Sequence, residues 1–376
     1  MERFGKWYSF DDCKAAAAVR KITNQKTLAR IAVEARSTEA KVAAIKKLTV
    51  AEHLPLLIRI ATEDGWACSR AVIETLIAAD HQHMLAEIVT KKTNWWTLAA
   101  VENLIAEEHQ QLLAEIATTD TDSYVRRAAV DNLIADERRQ LLAEIATKDT
   151  YWKVRLAAVK KLIAAEFRPL LARIAATDED WVVRKAAAEL LIAEESQALL
   201  AEIAVTDEHP DVRRAAVNKL IAEDHQQLLI RIATTDEDCN VCRAAVRKLT
   251  DQTCLAHVAW NAKEAGARQA AARKLIAGEH QPLLVRIAIK DKDWLVRRAA
   301  VEQLAALNNR PLLKEIIAEY RKALQCESEE TKDRYVFLLR FIYNAVDSPL
   351  KEQIASYNGT QEGFYFPEPS DAALSN

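Results

Sequence analysis

Residues 125–149 read VRRAAVDNLIADERRQLLAEIATKD. Val125, Ala128, Ala129, Val130, Leu133 and Ile134 recur at helical offsets, not at the alternation of a strand. Leu141, Leu142, Ile145 and Ala146 make the same kind of face on a second helix. We call the Leu-Leu helix A and the Val-Arg-Arg helix B. Neither stripe can be buried inside one helix pair, so the pair must stack on copies of itself.

The copies are present. The second valine of the pattern recurs as Val19, Ile45, Ile73, Val101, Val130, Val159, Ala188, Val217, Val246, Ala272 and Val301. The steps are 26, 28, 28, 29, 29, 29, 29, 29, 26 and 29 residues. A near-fixed step over most of a chain is the mark of a repeat array. The fold expected is all-α, an α-α superhelical solenoid of about eleven helix-pair repeats. Pro55, Pro169, Pro282 and Pro311 each precede a Leu-Leu pair, which places them in the first turn of helix A. Pro210 opens a helix B in the same way. The 26-residue steps lose three residues after Ile22 and after Leu249. The 28-residue steps lose one in the turn between helices A and B. A change of curvature is expected near repeats one to four and near repeat nine.

The domain boundaries follow. Residues 1–11 cap the array through Phe4, Trp7, Tyr8 and Phe10; 12–315 form the solenoid; 316–357 form capping helices; 358–376 form a flexible tail. Leu312 to Leu324 reads as a last helix A, and Thr331 to Val346 as a capping helix.

The chain has 52 Lys and Arg against 55 Asp and Glu, a net charge of −3, and 6 glycines. This favours helix and disfavours a general nucleic-acid binder. No apolar run approaches the roughly 18 residues of a membrane span. The segment from Met1 to Trp7 lacks the pattern of a secretory signal. Six cysteines without a framework read as reduced thiols, so a cytoplasmic location is expected.

The recurring Asp…Val-Arg-x-Ala-Ala-Val-x-x-Leu pattern resembles the HEAT-like repeat family, including the short bacterial repeats first noticed in phycobilin lyase subunits. The resemblance covers roughly residues 12–315. It implies that helix B lines the concave side. It also implies a ladder, in which a turn Asp bonds the first Arg of helix B. The Asp positions are Asp120, Asp149, Asp178, Asp207, Asp236 and Asp291. The Arg positions are Arg126, Arg155, Arg184, Arg213 and Arg297, with Cys242 in repeat nine. Repeat ten has Arg268 but Ala262 in place of Asp. Repeats one to four carry Ala15, Lys41, Ser69 and Thr97 at the Arg position.

The outward slots of helix B are the second Arg position and the two residues after the marker. From repeat five they hold Arg127, Lys160, Lys161, Lys185, Arg214, Lys219, Arg243, Arg247, Lys248, Arg273, Lys274 and Arg298. Asp131, Glu189 and Glu302 are the acids there, so bases outnumber acids twelve to three in a chain that is net acidic. These twelve residues are the candidate partner-binding site. A single-signed face of this kind attracts an acidic ligand, and the partner expected is an acidic protein or peptide. The competing expectation is a solvated face paired with neighbouring acids. Two alternatives for function stand beside the scaffold: a nucleic-acid-binding solenoid shaped like the HEAT-like DNA-alkylation repair glycosylases, and an accessory lyase-type subunit that handles a tetrapyrrole.

Other constellations carry less. Cys239-x-x-Cys242 and Cys254-x-x-His257 have zinc-like spacing. The repeat frame sets helix B between the pairs, a separation of roughly 15 Å at 1.5 Å per residue. No metal and no cofactor is expected. His53, His81, His109, His225 and His280 share one slot and are spread one per repeat, as surface-turn residues. Trp66, Trp95, Trp96, Trp152, Trp181 and Trp294 cluster at the start of helix B, where they cover the edge of the core. No glycine-rich phosphate loop, nucleophile elbow or His-Glu-x-x-His helix appears. The sequence therefore points away from an enzyme.

Overall fold

The computed structural model describes residues 12–79, 81, 83–91, 98–104, 107–163, 165–191, 194–307, 310–326 and 329–345. Among them are 23 α-helices, two short 3-10 turns and no strand. The fold is an all-α solenoid of stacked helix pairs. The expected N-terminal cap and the tail lie outside the described residues, as do Trp95 and Trp96. The chain divides into two compact units, Met1–Ile192 and Ala193–Asn376.

In the first unit, repeats five to seven pair Gln110–Thr119 with Ser123–Asn132, Arg139–Lys148 with Trp152–Lys161, and Arg168–Thr177 with Trp181–Leu190. In the second, repeats eight to ten pair Gln197–Thr206 with Pro210–Lys219, Gln226–Thr235 with Cys239–Lys248, and Gln252–Asn261 with Ala265–Lys274. Repeat eleven pairs Gln281–Lys290 with Trp294–Ala306. Two longer helices, Arg310–Cys326 and Glu329–Ala345, follow it.

The buried faces are those the periodicity indicates. Helix A buries one Leu, Ile and Ala per repeat, such as Leu142, Ile145 and Ala146. Helix B buries Val125, Ala128, Ala129 and Val130 in repeat five. Each fully buried aliphatic side chain contributes about 1.5–3 kcal/mol. The small alanines let successive helices B lie close together. Within each unit they pack on one another more extensively than most successive helices A do.

The helix ends are bonded by side chains. Asp149 ends helix A and its Oδ1 accepts from Tyr151 N at 2.8 Å. Asp122, Asp180, Asp238 and Asp293 then cap helix B through their side chains. Gln110 opens helix A and clamps the exit of helix B in its own pair. Its Oε1 accepts from Ile134 N at 2.7 Å and its Nε2 donates to Asn132 O at 3.3 Å. Gln25 makes both bonds in repeat two, and Gln197 and Gln252 accept in the same manner.

One sequence expectation needs correction. Pro55 lies inside the helix Val50–Glu63, not in its first turn. Repeat three starts helix A early, because Val50 is drawn into the core. Pro169 and Pro282 stand at the first helical positions, as expected.

Candidate functional site

The outward face of helix B rests on the bonds that fix its orientation. The first Arg of helix B does not pair with the carboxylate of its own turn. Arg155 sends Nη1 to the backbone oxygen of Asp149, its own turn, at 3.0 Å. Its Nε and Nη2 go to Asp178 of the next repeat at 2.9 and 2.8 Å. The same grip, 23 residues forward, joins Arg126 to Asp149, Arg213 to Asp236 and Arg268 to Asp291. Arg155 is 4% exposed, so this is a nearly dry bidentate pair between repeats. The Asp149 carboxylate raises the pKa of Arg126, and Asp178, Asp236 and Asp291 do so for their own partners.

This register explains the breaks. Cys242 replaces the donor and Ala262 the acceptor of one and the same rung. Cys242 Sγ donates to the turn oxygen of Asp236 at 3.2 Å instead. Three residues fewer precede the next helix A, and the turns close up. Lys263 N donates to Thr234 O across them, at 3.3 Å. Two further members of the ladder are not arginine–aspartate pairs. Lys41 reaches Asp64 at 3.2 Å in repeat two, and Arg297 donates to the Tyr335 hydroxyl at 2.7 Å. Arg297 also lies over the Tyr335 ring, 4.6 Å from its centroid.

The second residue after the marker forms another inter-repeat contact. Lys161 Nζ donates to Leu133 O at 2.9 Å and Lys248 Nζ to Leu220 O at 3.0 Å. Lys274 Nζ donates to Val246, Arg247 and Leu249 oxygens at 3.2, 2.8 and 2.7 Å. Lys47 does the same to Arg20 and Ile22 in the first unit, and Asn132 bonds Val101 O. Each ammonium caps the carbonyl end of the preceding helix B. Burial lowers the pKa of Lys161 and of Lys274.

The remaining candidates fall into two groups. Where the residue after the marker is acidic and a base holds the second Arg position one turn earlier, the two pair. These pairs are Arg127–Asp131 at 3.6 Å, Lys185–Glu189 at 3.8 Å and Arg298–Glu302 at 2.8 Å, with Arg70–Glu74 as the earlier case. Arg214 pairs with Asp211, and Arg273 meets Glu302 at 3.6 Å. Lys219 is half-buried. Among the described residues, Lys160, Arg243 and Arg247 are exposed and their side chains make no ion pair or hydrogen bond.

The other sequence candidates are placed as follows. His109 is buried, tucked under by the 3-10 turn Glu107–His109, and so departs from the surface-turn expectation. His225 and His280 precede helix A, each with a buried Nε2. Trp66 is 43% exposed, with Arg70 over its ring. Trp294 meets the edge of Phe337 in the last helix. Cys239 lies against Gly266, where a Cβ would stand 2.4 Å from its Sγ. Burial pushes the Cys242 thiol up to about 12. No cluster of potential metal ligands occurs among the described residues.

Clefts open beside the rungs. One of 470 Å³ is lined by Lys148, Asp149, Arg155, Arg173 and Asp178, and one of 280 Å³ by Arg213, Arg231 and Asp236. In both, the turn carboxylate is already held by the ladder arginine. These are polar notches of the repeat, not acid–base pairs poised for chemistry.

Residues 139–221 match the family described as HEAT repeats. No curated protein matches the chain. Among solved structures, Kap121p bound to RanGTP is 13% identical with a TM-score of 0.48, over 92% of this chain and 48% of Kap121p. The Escherichia coli protein YibA is 17% identical with a TM-score of 0.41, over 72% of this chain and 97% of YibA. Importin beta is 16% identical with a TM-score of 0.24, over 93% of this chain and 45% of importin beta. The chain spans about half the length of Kap121p. The matched stretch carries Lys160, Lys161, Lys185, Arg214 and Lys219 of the candidate face. No helix among the described residues is long and apolar enough to cross a membrane.

Proposed function

We propose that this chain is a non-catalytic protein-interaction scaffold that binds an acidic partner on the outward face of helix B from repeat five onward. The observation that carries this reading is the recurrence of three outward slots, repeat after repeat, filled mainly by bases. Acids face outward at the turns and on helix A, as at Glu144 and Glu202. An acidic ligand is attracted to the first surface and repelled by the second. Within each unit the stacked pairs repeat the slots at a regular spacing. Lys161, Lys248 and Lys274 hold helix ends and contribute their charge from there. The rest of the twelve, Lys160 and Arg243 among them, are placed to touch the partner directly. We place the protein in the cytoplasm.

The test is affinity capture from native lysate, with and without nuclease, beside a variant reversed at Lys160, Arg214, Arg243, Arg247 and Arg273. A captured protein that survives nuclease, is lost in the variant and binds again through an isolated acidic segment bears the reading out. Nucleic acid captured in its place overturns it.

A further inference from the structure

Charge on the helix B face is not spread evenly, and the ion pairs show where it concentrates. Repeats three, five, seven and eleven neutralise themselves. In each, a base at the second Arg position meets an acid four residues on. Repeat nine breaks that rule. Arg243 and Arg247 occupy the same two positions, so two guanidinium groups stand one helical turn apart. Like charges at this spacing destabilise a helix by about 0.2–0.5 kcal/mol. Neither group has a hydrogen bond or ion pair among the described residues, and both are exposed.

The neighbours extend the effect. The nine outward slots of repeats eight, nine and ten hold seven cations, Asn218, Gln269 and no acid. Arg214 leans back on Asp211, and Arg273 meets Glu302 from repeat eleven at the margin. Gly266 lets repeat ten approach beneath the Arg243 side chain, whose Cδ is 3.5 Å from where a Cβ would be. A Cβ there would collide with Cys239 Sγ and meet Arg243 in ordinary contact. Within the second unit the cationic block is therefore three repeats wide, and self-neutralised repeat eleven follows it.

We infer that Arg243 and Arg247 are the anchor of a docking site on repeats eight to ten for a short acidic peptide segment with two carboxylates about one helical turn apart. This rests on the scaffold reading above and narrows it to one place. The width of the block decides the class of partner. Helices pack about 8–10 Å apart, so three repeats span roughly 20 Å. At repeat eleven the face returns to paired charge, with Glu302 held by Arg298. A long polyanion running past repeat ten would meet that acid, whereas a short acidic segment stays on the cationic block.

The test uses the full chain and fluorescence anisotropy. The probes are a labelled helical peptide with Glu at i and i+4, its Gln counterpart and a short single-stranded DNA. Arg243→Glu with Arg247→Glu is compared with Arg231→Glu with Lys290→Glu, which changes the net charge equally on helix A. Arg247→Glu alone guards against a packing effect at Gly266. The Glu peptide is expected to bind wild type, and the Arg243/Arg247 variant to bind it about tenfold more weakly. The helix A variant is expected to stay within about twofold. If the Arg243/Arg247 variant binds like wild type while Lys160→Glu or Arg214→Glu weakens binding, this site is overturned and the scaffold reading stands. If wild type does not distinguish Glu from Gln peptide, the scaffold reading itself fails. Tighter binding of the DNA than of the Glu peptide overturns the assignment of a peptide.

Discussion

Arg155 of one repeat and Asp178 of the next are joined by two bonds, Nε to Oδ2 and Nη2 to Oδ1, in a nearly dry seam. Removing one side leaves the other buried without its counter-charge. Arg155→Ala is expected to cost about 3 kcal/mol in denaturant unfolding. Arg155→Lys recovers only part, because an ammonium cannot make the two parallel bonds. A loss below about 1 kcal/mol would place the pair among ordinary surface contacts.

Lys274 holds three carbonyl oxygens at the end of the preceding helix B. Lys274→Met keeps the aliphatic stem and removes the donors. We expect a loss of about 1–2 kcal/mol, with faster amide exchange around residues 244–250. Lys160→Met, from an exposed and unbonded position, should change stability by less than about 0.5 kcal/mol. Equal effects at the two sites would remove the distinction between helix-end and surface lysines.

The last ladder arginine, Arg297, is 5% exposed and turns to the Tyr335 hydroxyl. Tyr335→Phe keeps the ring over the guanidinium and deletes the acceptor. The expected cost is about 1–3 kcal/mol. Hydrogen exchange should rise first in the helix Glu329–Ala345. Unchanged exchange there would mean that apolar packing alone seats the last helix.

Cys242 should be chemically silent in the native protein. With its thiol pushed up to about 12, about one part in ten thousand is thiolate at pH 8. Native alkylation at that pH should label Cys239 first, since it is half-buried where Cys242 is buried. The Cys242 rate should climb about tenfold per pH unit below 12, and denaturation should abolish the difference. Rapid native labelling of Cys242 would contradict its burial.

Much of this was legible in residues 125–149. The offsets of Val125, Val130, Leu142 and Ile145 decide helix, pairing and core, because burial follows local periodicity. The partner of Arg126 was not legible in the same way. Asp120 lies six residues before it and Asp149 lies 23 after, and only the stacking of repeats selects the second. Lys161, Lys248 and Lys274 look like Lys160 in sequence. Their carbonyl partners lie on another repeat, and a backbone oxygen leaves no mark in the side-chain pattern. Lys41 was recognisable as an off-pattern residue but not as a rung, since its acid, Asp64, also needs the stack to find it. Tyr335 lay beyond the repeat and carried no signal for its role. The one hint available was the joint loss of Arg at 242 and Asp at 262, two departures that belong to one bond.

The forward direction of that bond sets an order on synthesis. Arg126, Arg155, Arg213 and Arg268 each leave the ribosome 23 residues before the aspartate that will hold them. At about 5–20 residues per second this is a wait of roughly one to five seconds. During it, the newest helix pair presents an unanswered guanidinium, and only the following turn can answer it. The nascent array therefore closes from its amino end, one repeat behind translation. At the junction between repeats nine and ten, where Cys242 and Ala262 stand, no such wait occurs.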